Sequence, residues 1–509
     1  MWVPFSAPNF QTQDGSSYVY SAVVARDLLF DPHSVYSSVY QFRHLAVPNW
    51  GATILLNLIL CFTGVEYAEK VLMSVTLLIG FFCVSYCIRS LAPQASPWTP
   101  LTNFVLQNWL LWTGFYNFYL ATMAALVLIG YYIRRTGRMT VPGALVLSAG
   151  LVGVFLIHLM GAAIAMLGLT ILAFWRWMVQ PERREPRQVA LVAAAMVPAI
   201  VLALIFAITS GKPIQFELSP VNALATFPLD MFNTASGLLG KQTLLWPVVL
   251  AAIVFVIARL SRAEWKTVRG AVAMAVIASF VVYLIVPDEG FGGGQSKVRF
   301  AWALFLFGAV LVSSTPKFPA LRTCLTVYVS IFLAVNLVAT THTLSNYSAA
   351  IADYLAALDP FPRGSRIIRA NYSTADIPYR YGFSGLRRDP LLRVDTYVAA
   401  LCRCIDLTDY QAPNYIFPVI VRPGLDLAHQ DQLWHDFEAP GHRTEETLRW
   451  LHDGALGRID YAIVIADPYS GGNSGSFPAT IANLNEMGMQ LTPRSRRSPF
   501  VRVYAREGQ

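Results

Sequence analysis

TVPGALVLSAGLVGVFLIHLMGAAIAMLGLTILAFW, residues 140–175, contains a single titratable side chain, His158. A bilayer core about 30 Å thick needs roughly 17 to 25 apolar residues in helical form to cross it. Helix is required because lipid offers no partner to backbone N–H and C=O groups. The run is therefore too long for one crossing. Basic clusters flank it, Arg134, Arg135 and Arg138 before and RWMVQPERREPR (176–187) after, and the positive-inside rule puts both in the cytoplasm. With both ends on one side, the run crosses twice and turns near His158.

Working outward, the same criteria predict ten spans: 68–88, 99–113, 115–133, 140–157, 159–176, 188–209, 243–259, 268–286, 298–315 and 323–342. The basic loop RLSRAEWKTVR (259–269) and the pair Lys317 and Arg322 also read as cytoplasmic. Counting from these loops leaves residues 1–48, 210–242, 287–297 and everything after Thr343 outside. Trp50 to Phe62 is apolar, but a crossing there strands Arg89 outside, so an interfacial helix is expected. The first 48 residues are too polar to insert, and no hydrophobic helix precedes them, so a leading span is expected to be missing from the start of this sequence.

Composition agrees. The chain is 55% hydrophobic and 13% charged, where a soluble domain carries about 25% charged residues, so the excess apolar surface needs lipid. Acidic residues are sparse over 68–342 and frequent from 350 onward. The expected organisation is an extracytoplasmic loop with an interfacial helix (1–67), a transmembrane helical domain (68–342) and an extracytoplasmic α/β domain (343–509). In that last part RIIRAN (366–371), NYIFPVIV (414–421), DYAIVIAD (460–467) and FVRVYARE (500–507) read as strands. The fold class is thus mainly α, a polytopic membrane domain of about ten spans followed by a soluble α/β domain. The net charge of +8 gathers in loops between spans rather than along one face, which argues for a bilayer partner and against nucleic acid. The six cysteines lack metal-ligand spacing. Cys402 and Cys404, two apart on an expected strand, point the same way and are read as free thiols. His435, Asp436, His442 and His452 are scattered and read as surface residues.

Three stretches could carry chemistry. The first loop, NFQTQDGSSYVYSAVVARDLLFDPHSVYSSVYQFRHLAVPNW (9–50), concentrates Asp14, Asp27 and Asp31 with Arg26, His33, Arg43 and His44. A carboxylate there can act as general base towards a hydroxyl nucleophile; the plainer reading makes Asp14-Gly15 a turn and pairs Asp27 with an arginine. The loop PDEGFGGGQSKVRF (287–300) places glycines, Lys297 and Arg299 at the mouth of a span. Cations at the outer interface can hold a phosphate, or merely snorkel to headgroups. The triglycine is not a nucleotide loop, since no strand precedes it and no Gly-Lys-Ser/Thr ending follows. His158 is a candidate because ionisable groups at membrane depth are costly, or else it is an interfacial residue. Trp109, Trp112, Phe115, Tyr116, Asn117, Phe118 and Tyr119 form an aromatic belt whose rings can also stack on sugars.

QDGSSYVYSAVVARDLL (13–29) with VPNW (47–50), WTGFYNF (112–118) and PDEGFGGGQSKVRFA (287–301) together resemble the GT-C superfamily of lipid-phosphate-sugar glycosyltransferases. The branch is that of bacterial protein mannosyltransferases and lipid A aminoarabinose transferases. The resemblance implies a sugar transferred from a polyprenyl-phosphate donor to a glycan, lipid or protein acceptor on the extracytoplasmic face of a bacterial inner membrane. It maps the catalytic base onto Asp14 and donor binding onto Arg299 and Lys297; His158, Tyr116 and Asn117 are the further substrate-binding candidates. Many members carry an acidic pair at the motif, whereas Gly15 follows Asp14 here, so the choice among Asp14, Asp27 and Asp31 stays open. Metal dependence varies in the superfamily; with no ligand spacing in this chain, no metal or other cofactor is expected. Readings from other classes are a polysaccharide ligase or polymerase, a lipid-linked glycan transporter, which predicts ionisable residues within spans and internal repeats, and a membrane anchor for a partner-binding outer domain.

Overall fold

The computed structural model describes residues 3–43, 46–95, 100–179, 185–210, 220–235, 245–288, 294–315, 317–358, 361–372, 393–409, 411–412, 416–422, 459–466, 481–482, 484–485, 488–493, 498 and 500–506. Its α-helices are α1 (Gly15–Phe30), α2 (Trp50–Ile59), α3 (Val65–Leu91), α4 (Pro100–Leu106), α5 (Trp109–Thr113), α6 (Tyr116–Arg134), α7 (Val141–Ile157) and α8 (Leu159–Val179). They continue with α9 (Pro186–Ser210), α10 (Pro220–Ala235), α11 (Leu245–Ala258), α12 (Arg262–Trp265), α13 (Val268–Ile285), α14 (Ser296–Ser314), α15 (Pro319–Ala357) and α16 (Val394–Cys402). Seven of them, α3, α6, α8, α9, α13, α14 and α15, are long and apolar enough to cross a membrane; α2, α7 and α11 are apolar but shorter. The chain divides into two compact units. One holds Ala46–Ala52 and Met73–Ala339; the other holds Trp2–Leu45, Thr53–Leu72 and Thr340–Gln509.

In the helical unit, the stretch 140–175 forms α7 and α8, and the chain turns at His158. Thr140 caps the start of α7 by accepting the Gly143 N–H, and His158, with extended backbone, ends it. The imidazole Nδ1 then accepts the Met160 N–H at 3.1 Å, so the same residue stops one helix and starts the next. Gly161 lets α8 approach α6 closely, because a Cβ there would run into the backbone of Ala121. α14 is central, with 94% of its apolar window buried, against 28% for α9. Accordingly α9 exposes Val197, Val201, Leu204, Ile205 and Ile208, an apolar face suited to lipid rather than water.

The stretch 99–113 was expected to be one span and is two short helices. Asn108 breaks it: its side-chain oxygen accepts the Leu111 N–H at 3.1 Å and its amide donates to the Val105 carbonyl at 3.0 Å. A side chain that satisfies local backbone groups makes a cap cheaper than a continuous helix. The helix expected over 323–342 instead runs unbroken to Ala357.

In the second unit, strands β1 (Tyr40–Phe42), β2 (Arg366–Tyr372), β3 (Ile405–Asp406), β4 (Val419–Val421), β5 (Tyr461–Ala466), β6 (Met489–Leu491) and β7 (Val501–Arg506) form two sheets. The larger has order β3-β2-β5-β7-β6; β2 is parallel to both β3 and β5, and the remaining pairs are antiparallel. The smaller pairs β1 with β4, so a strand from the first loop joins one from the C-terminal part. Tyr20, Tyr36 and Tyr40 reinforce that junction as a buried trio with ring centroids 6.0 to 6.3 Å apart. The Tyr20 hydroxyl donates to the Cys404 carbonyl at 3.1 Å and accepts the Asp406 N–H at 2.9 Å. The first loop thus shares a core with residues 340–506 instead of standing alone.

Cys402 and Cys404 form a disulfide, which corrects the expectation of free thiols. They do not sit on one strand: Cys402 ends α16, and Arg403 takes the left-handed region at φ 56°, which reverses the chain and brings the sulfurs together. His435, Asp436, His442 and His452 lie outside the described residues, as do Gly292 and Gly293 of the triglycine.

Candidate functional site

Each unit presents one constellation. In the helical unit it centres on Arg299, one turn into α14. Gln295, with left-handed backbone, precedes the helix, and Asp288 caps it, its carbonyl accepting the Ser296 N–H at 3.1 Å and its carboxylate the Lys297 N–H at 3.2 Å. That start directs Arg299 inward, where it is 8% exposed. Its guanidinium lies 5.0 Å from the Phe115 ring centroid and 5.2 Å from that of Phe118, within cation–π range of both. Phe118 also meets the His158 ring edge-on at 5.5 Å and Trp302 at 5.6 Å. Trp302, fully buried, donates its indole N–H to the Val105 carbonyl at 2.8 Å and lies 4.8 Å from Tyr119. Arg299, Phe118 and His158 are therefore one cluster, with Trp302 and Tyr119 as its fixed wall.

The other sequence candidates in this unit are Lys297, Asn117 and Tyr116. Lys297 is half-buried in the first turn of α14. Asn117 is fully buried and ties two segments together, its oxygen accepting the Ala52 N–H at 2.6 Å and its amide donating to the Asn49 carbonyl at 3.0 Å. Tyr116 is likewise fully buried. The Asn117 side chain thus bonds to backbone groups of the fold.

In the second unit the constellation surrounds the start of α1. Asp14 occupies the N-cap position, is 9% exposed, makes no side-chain cap bond, and has Gln13 Nε2 at 3.5 Å from its Oδ1. The preceding segment is held down at several points. Lys70 donates to the carbonyls of Ala7 and Pro8 at 2.9 and 2.6 Å. Ser348 accepts the Asn9 N–H at 2.8 Å, and the Tyr347 hydroxyl donates to the Gln11 carbonyl. Glu69, 4% exposed, accepts both the N–H and the hydroxyl of Thr12 at 2.7 and 2.6 Å.

Asp27 and Asp31 lie further along α1 and at its end, in an ion-pair network. Arg363 Nη2 is 2.7 Å from Asp31 and 3.7 Å from Asp27, and Arg403 is also 3.7 Å from Asp27. Burial raises the Asp27 carboxyl above the usual range, opposed by the two arginines. The hydrogen bond from Arg363, helped by the His33 N–H, lowers that of Asp31.

Sequence reasoning passed over Glu69, Trp302, Arg363 and Arg403. A signal existed for the first: Glu69-Lys70 places opposite charges at the head of an otherwise apolar run, where charged residues are expensive and informative. Among the described residues no cluster of three or more His, Cys, Asp or Glu side chains has a metal-holding arrangement.

No protein-family model matches the chain, and a search of curated proteins finds no match. Among solved structures, the chain is similar to apo ArnT from Cupriavidus metallidurans, with a TM-score of 0.48 and 13% identity over 99% of this chain and 95% of that one. It is also similar to the same protein bound to undecaprenyl phosphate, at TM-score 0.46, 11% identity and the same coverage. A third likeness is to the Archaeoglobus fulgidus oligosaccharyltransferase complexed with zinc and sulfate, at TM-score 0.43 and 12% identity over 91% of this chain and 66% of that one.

Proposed function

We propose that the chain is a membrane glycosyltransferase of the GT-C kind, which moves a sugar from a polyprenyl-phosphate donor to a hydroxyl of a glycan, lipid or protein acceptor. The basic loops orient it in a bacterial inner membrane with the first loop and the C-terminal part outside, so transfer takes place on the extracytoplasmic face. The observation that carries this reading is the Arg299 cluster. A guanidinium 8% exposed on a central apolar helix is costly to desolvate and supplies a fixed cation of the kind that binds an anionic ligand such as the donor phosphate.

In the reaction the acceptor oxygen bonds to the anomeric carbon while the bond from that carbon to the phosphate oxygen breaks. The polyprenyl phosphate leaves with the electron pair, and a single displacement inverts the anomeric configuration. Negative charge grows on the leaving phosphate, so a fixed cation stabilises the transition state more than the bound donor. Asp14 takes the proton of the acceptor hydroxyl. Asp14 opens the first-loop motif at the N-cap of α1, whereas Asp27 and Asp31 form ion pairs with Arg363 and Arg403. Lys297, half-buried in the first turn of α14, assists in drawing in the donor, and His158 packs against Phe118 beside the phosphate-binding cation. No cofactor takes part.

The test is release of polyprenyl phosphate, by mass spectrometry, from polyprenyl-phosphate hexose and pentose donors by the full chain in nanodiscs, with cell-envelope extract as acceptor. Asp14→Asn lowers the rate by about 100-fold or more at unchanged melting temperature. An Asp14→Asn chain working at the full rate removes Asp14 as the base, and a parent chain inert towards every donor sinks the transferase reading.

A further inference from the structure

The disulfide between Cys402 and Cys404 brackets Arg403, whose backbone takes the left-handed region at φ 56°. That region is unfavourable for a side chain as large as arginine, and glycine is the usual residue where a helix ends this way. The bond is poorly suited to stapling the fold as a whole. Cross-links stabilise chiefly by closing long loops, and this one joins residues two apart. Cys404 is also held without it, since its N–H donates to the Ala399 carbonyl at 3.0 Å and its carbonyl accepts the Tyr20 hydroxyl at 3.1 Å. What the bond does fix is the turn that carries Arg403. The Arg403 carbonyl accepts the Gly364 N–H at 3.1 Å, so the segment bearing Arg363 hangs on the same turn. Both guanidinium groups lie 3.7 Å from Asp27 Oδ2 on α1. That oxygen is buried and accepts no hydrogen bond among the described residues, so its charge is met by these two ion pairs.

We propose that Cys402 and Cys404 form a reversible thiol–disulfide exchange site for a dithiol reductant, and that its reduction frees Arg403 from Asp27 and loosens the hold of the C-terminal part on α1. Cys402 is half-buried and Cys404 fully buried, so attack falls on Cys402. A thiolate of the reductant bonds to Cys402 Sγ as the bond between the two cysteines breaks; Cys404 Sγ leaves with the electron pair and takes up a proton. The second thiolate of the reductant then displaces Cys402, which takes up a proton in turn. Both cysteines end as thiols and the reductant as a disulfide, two electrons and two protons having passed between them. On the extracytoplasmic face proposed for this part, disulfides form and persist, so the oxidised pair is the resting state. Once it opens, nothing covalent holds Arg403 in the left-handed region, and its guanidinium swings away from Asp27. This exchange is independent of the transferase reading.

The experiment treats the full chain in nanodiscs with dithiothreitol as the dithiol and reads the peptide containing residues 402–404 by differential alkylation and mass spectrometry. The pair is expected to be oxidised as isolated, to become reduced while the chain stays folded, and to re-form with oxidised glutathione. Reduction lowers the midpoint of thermal unfolding, followed by limited proteolysis, by about 2 to 6 °C. In Asp27→Asn, which has no charge to be met, that shift is lost. The double variant Cys402→Ser, Cys404→Ser matches the reduced parent and does not respond to dithiothreitol. A pair found as free thiols in the isolated chain, or reduced only once the chain unfolds, overturns the proposal. So does an equal shift on reduction in the parent and in Asp27→Asn, because a bond that served the fold alone would be indifferent to the charge at residue 27.

Discussion

Replacing Arg299 separates charge from geometry at the proposed phosphate site. In Arg299→Met the side chain keeps most of its length and apolar body but loses the cation. In Arg299→Lys the charge remains, but as a point charge without the planar fork that lies over Phe115 and Phe118 at 5.0 and 5.2 Å. Each cation–π contact contributes roughly 0.5 to 2 kcal/mol in a desolvated setting. Two such contacts hold the guanidinium in place with about 1 to 4 kcal/mol between them. Loss of one preorganised group facing the charge of a transition state costs about 100- to 1000-fold in kcat, or roughly 3 to 4 kcal/mol. Arg299→Met is therefore expected to lower kcat by that factor, and Arg299→Lys to fall between it and the parent. Neither lowers the melting temperature of the detergent-solubilised chain by more than a few degrees, because Met fills the same apolar slot and relieves a buried charge. Donor release at saturating polyprenyl-phosphate sugar, normalised to folded protein by size-exclusion chromatography, measures it. Arg299→Met with more than a tenth of the parental kcat refutes a role in stabilising the leaving phosphate.

Two further predictions concern the second unit. Tyr20→Phe removes the donor to the Cys404 carbonyl and the acceptor of the Asp406 N–H, leaving two buried backbone groups without that partner at about 1 to 3 kcal/mol each. Thermal unfolding followed by limited proteolysis should show a loss of about 2 to 5 kcal/mol, and a change under 0.5 kcal/mol would show that water replaces the hydroxyl. The buried carboxyls of Asp409 and Asp406 are pushed up to about 7 and about 6, first by burial and next by a neighbouring aspartate. Unfolded, both return towards 3.8, so between about pH 4 and 7 the folded chain binds the extra protons and gains stability as pH falls. A displacement of about three pH units at Asp409 corresponds to at most about 4 kcal/mol. Asp409→Asn is expected to flatten the rise in melting temperature on acidification from pH 7 to 5; an unchanged slope contradicts the assignment.

The membrane class was legible in residues 140–175, because an apolar run of that length between two basic clusters has few physical solutions. Most span positions followed for the same reason, and the break in 99–113 turned on a single side chain: Asn108 satisfies backbone groups locally, which hydropathy does not weigh. The strands of the C-terminal part were readable from β-branched runs, but their order, and the pairing of β1 with β4 across the chain, depend on long-range packing. Cys402 and Cys404 illustrate the same limit, since the left-handed turn at Arg403 decides whether their sulfurs meet.

For the candidate site, the sequence determined which residue types lay near one another along the chain: Asp14 ahead of α1, and Lys297 and Arg299 at the start of α14. Tertiary structure alone decided their surroundings. It set Arg299 over Phe115 and Phe118, residues more than 180 positions earlier, engaged Asp27 and Asp31 with Arg363 and Arg403, and turned Asn117 into a brace between backbone groups. It also put the carboxylate of Glu69 against Gly15. Periodicity and charge fix local conformation and solvent, whereas the meeting of distant side chains is fixed by close packing, which no linear pattern records.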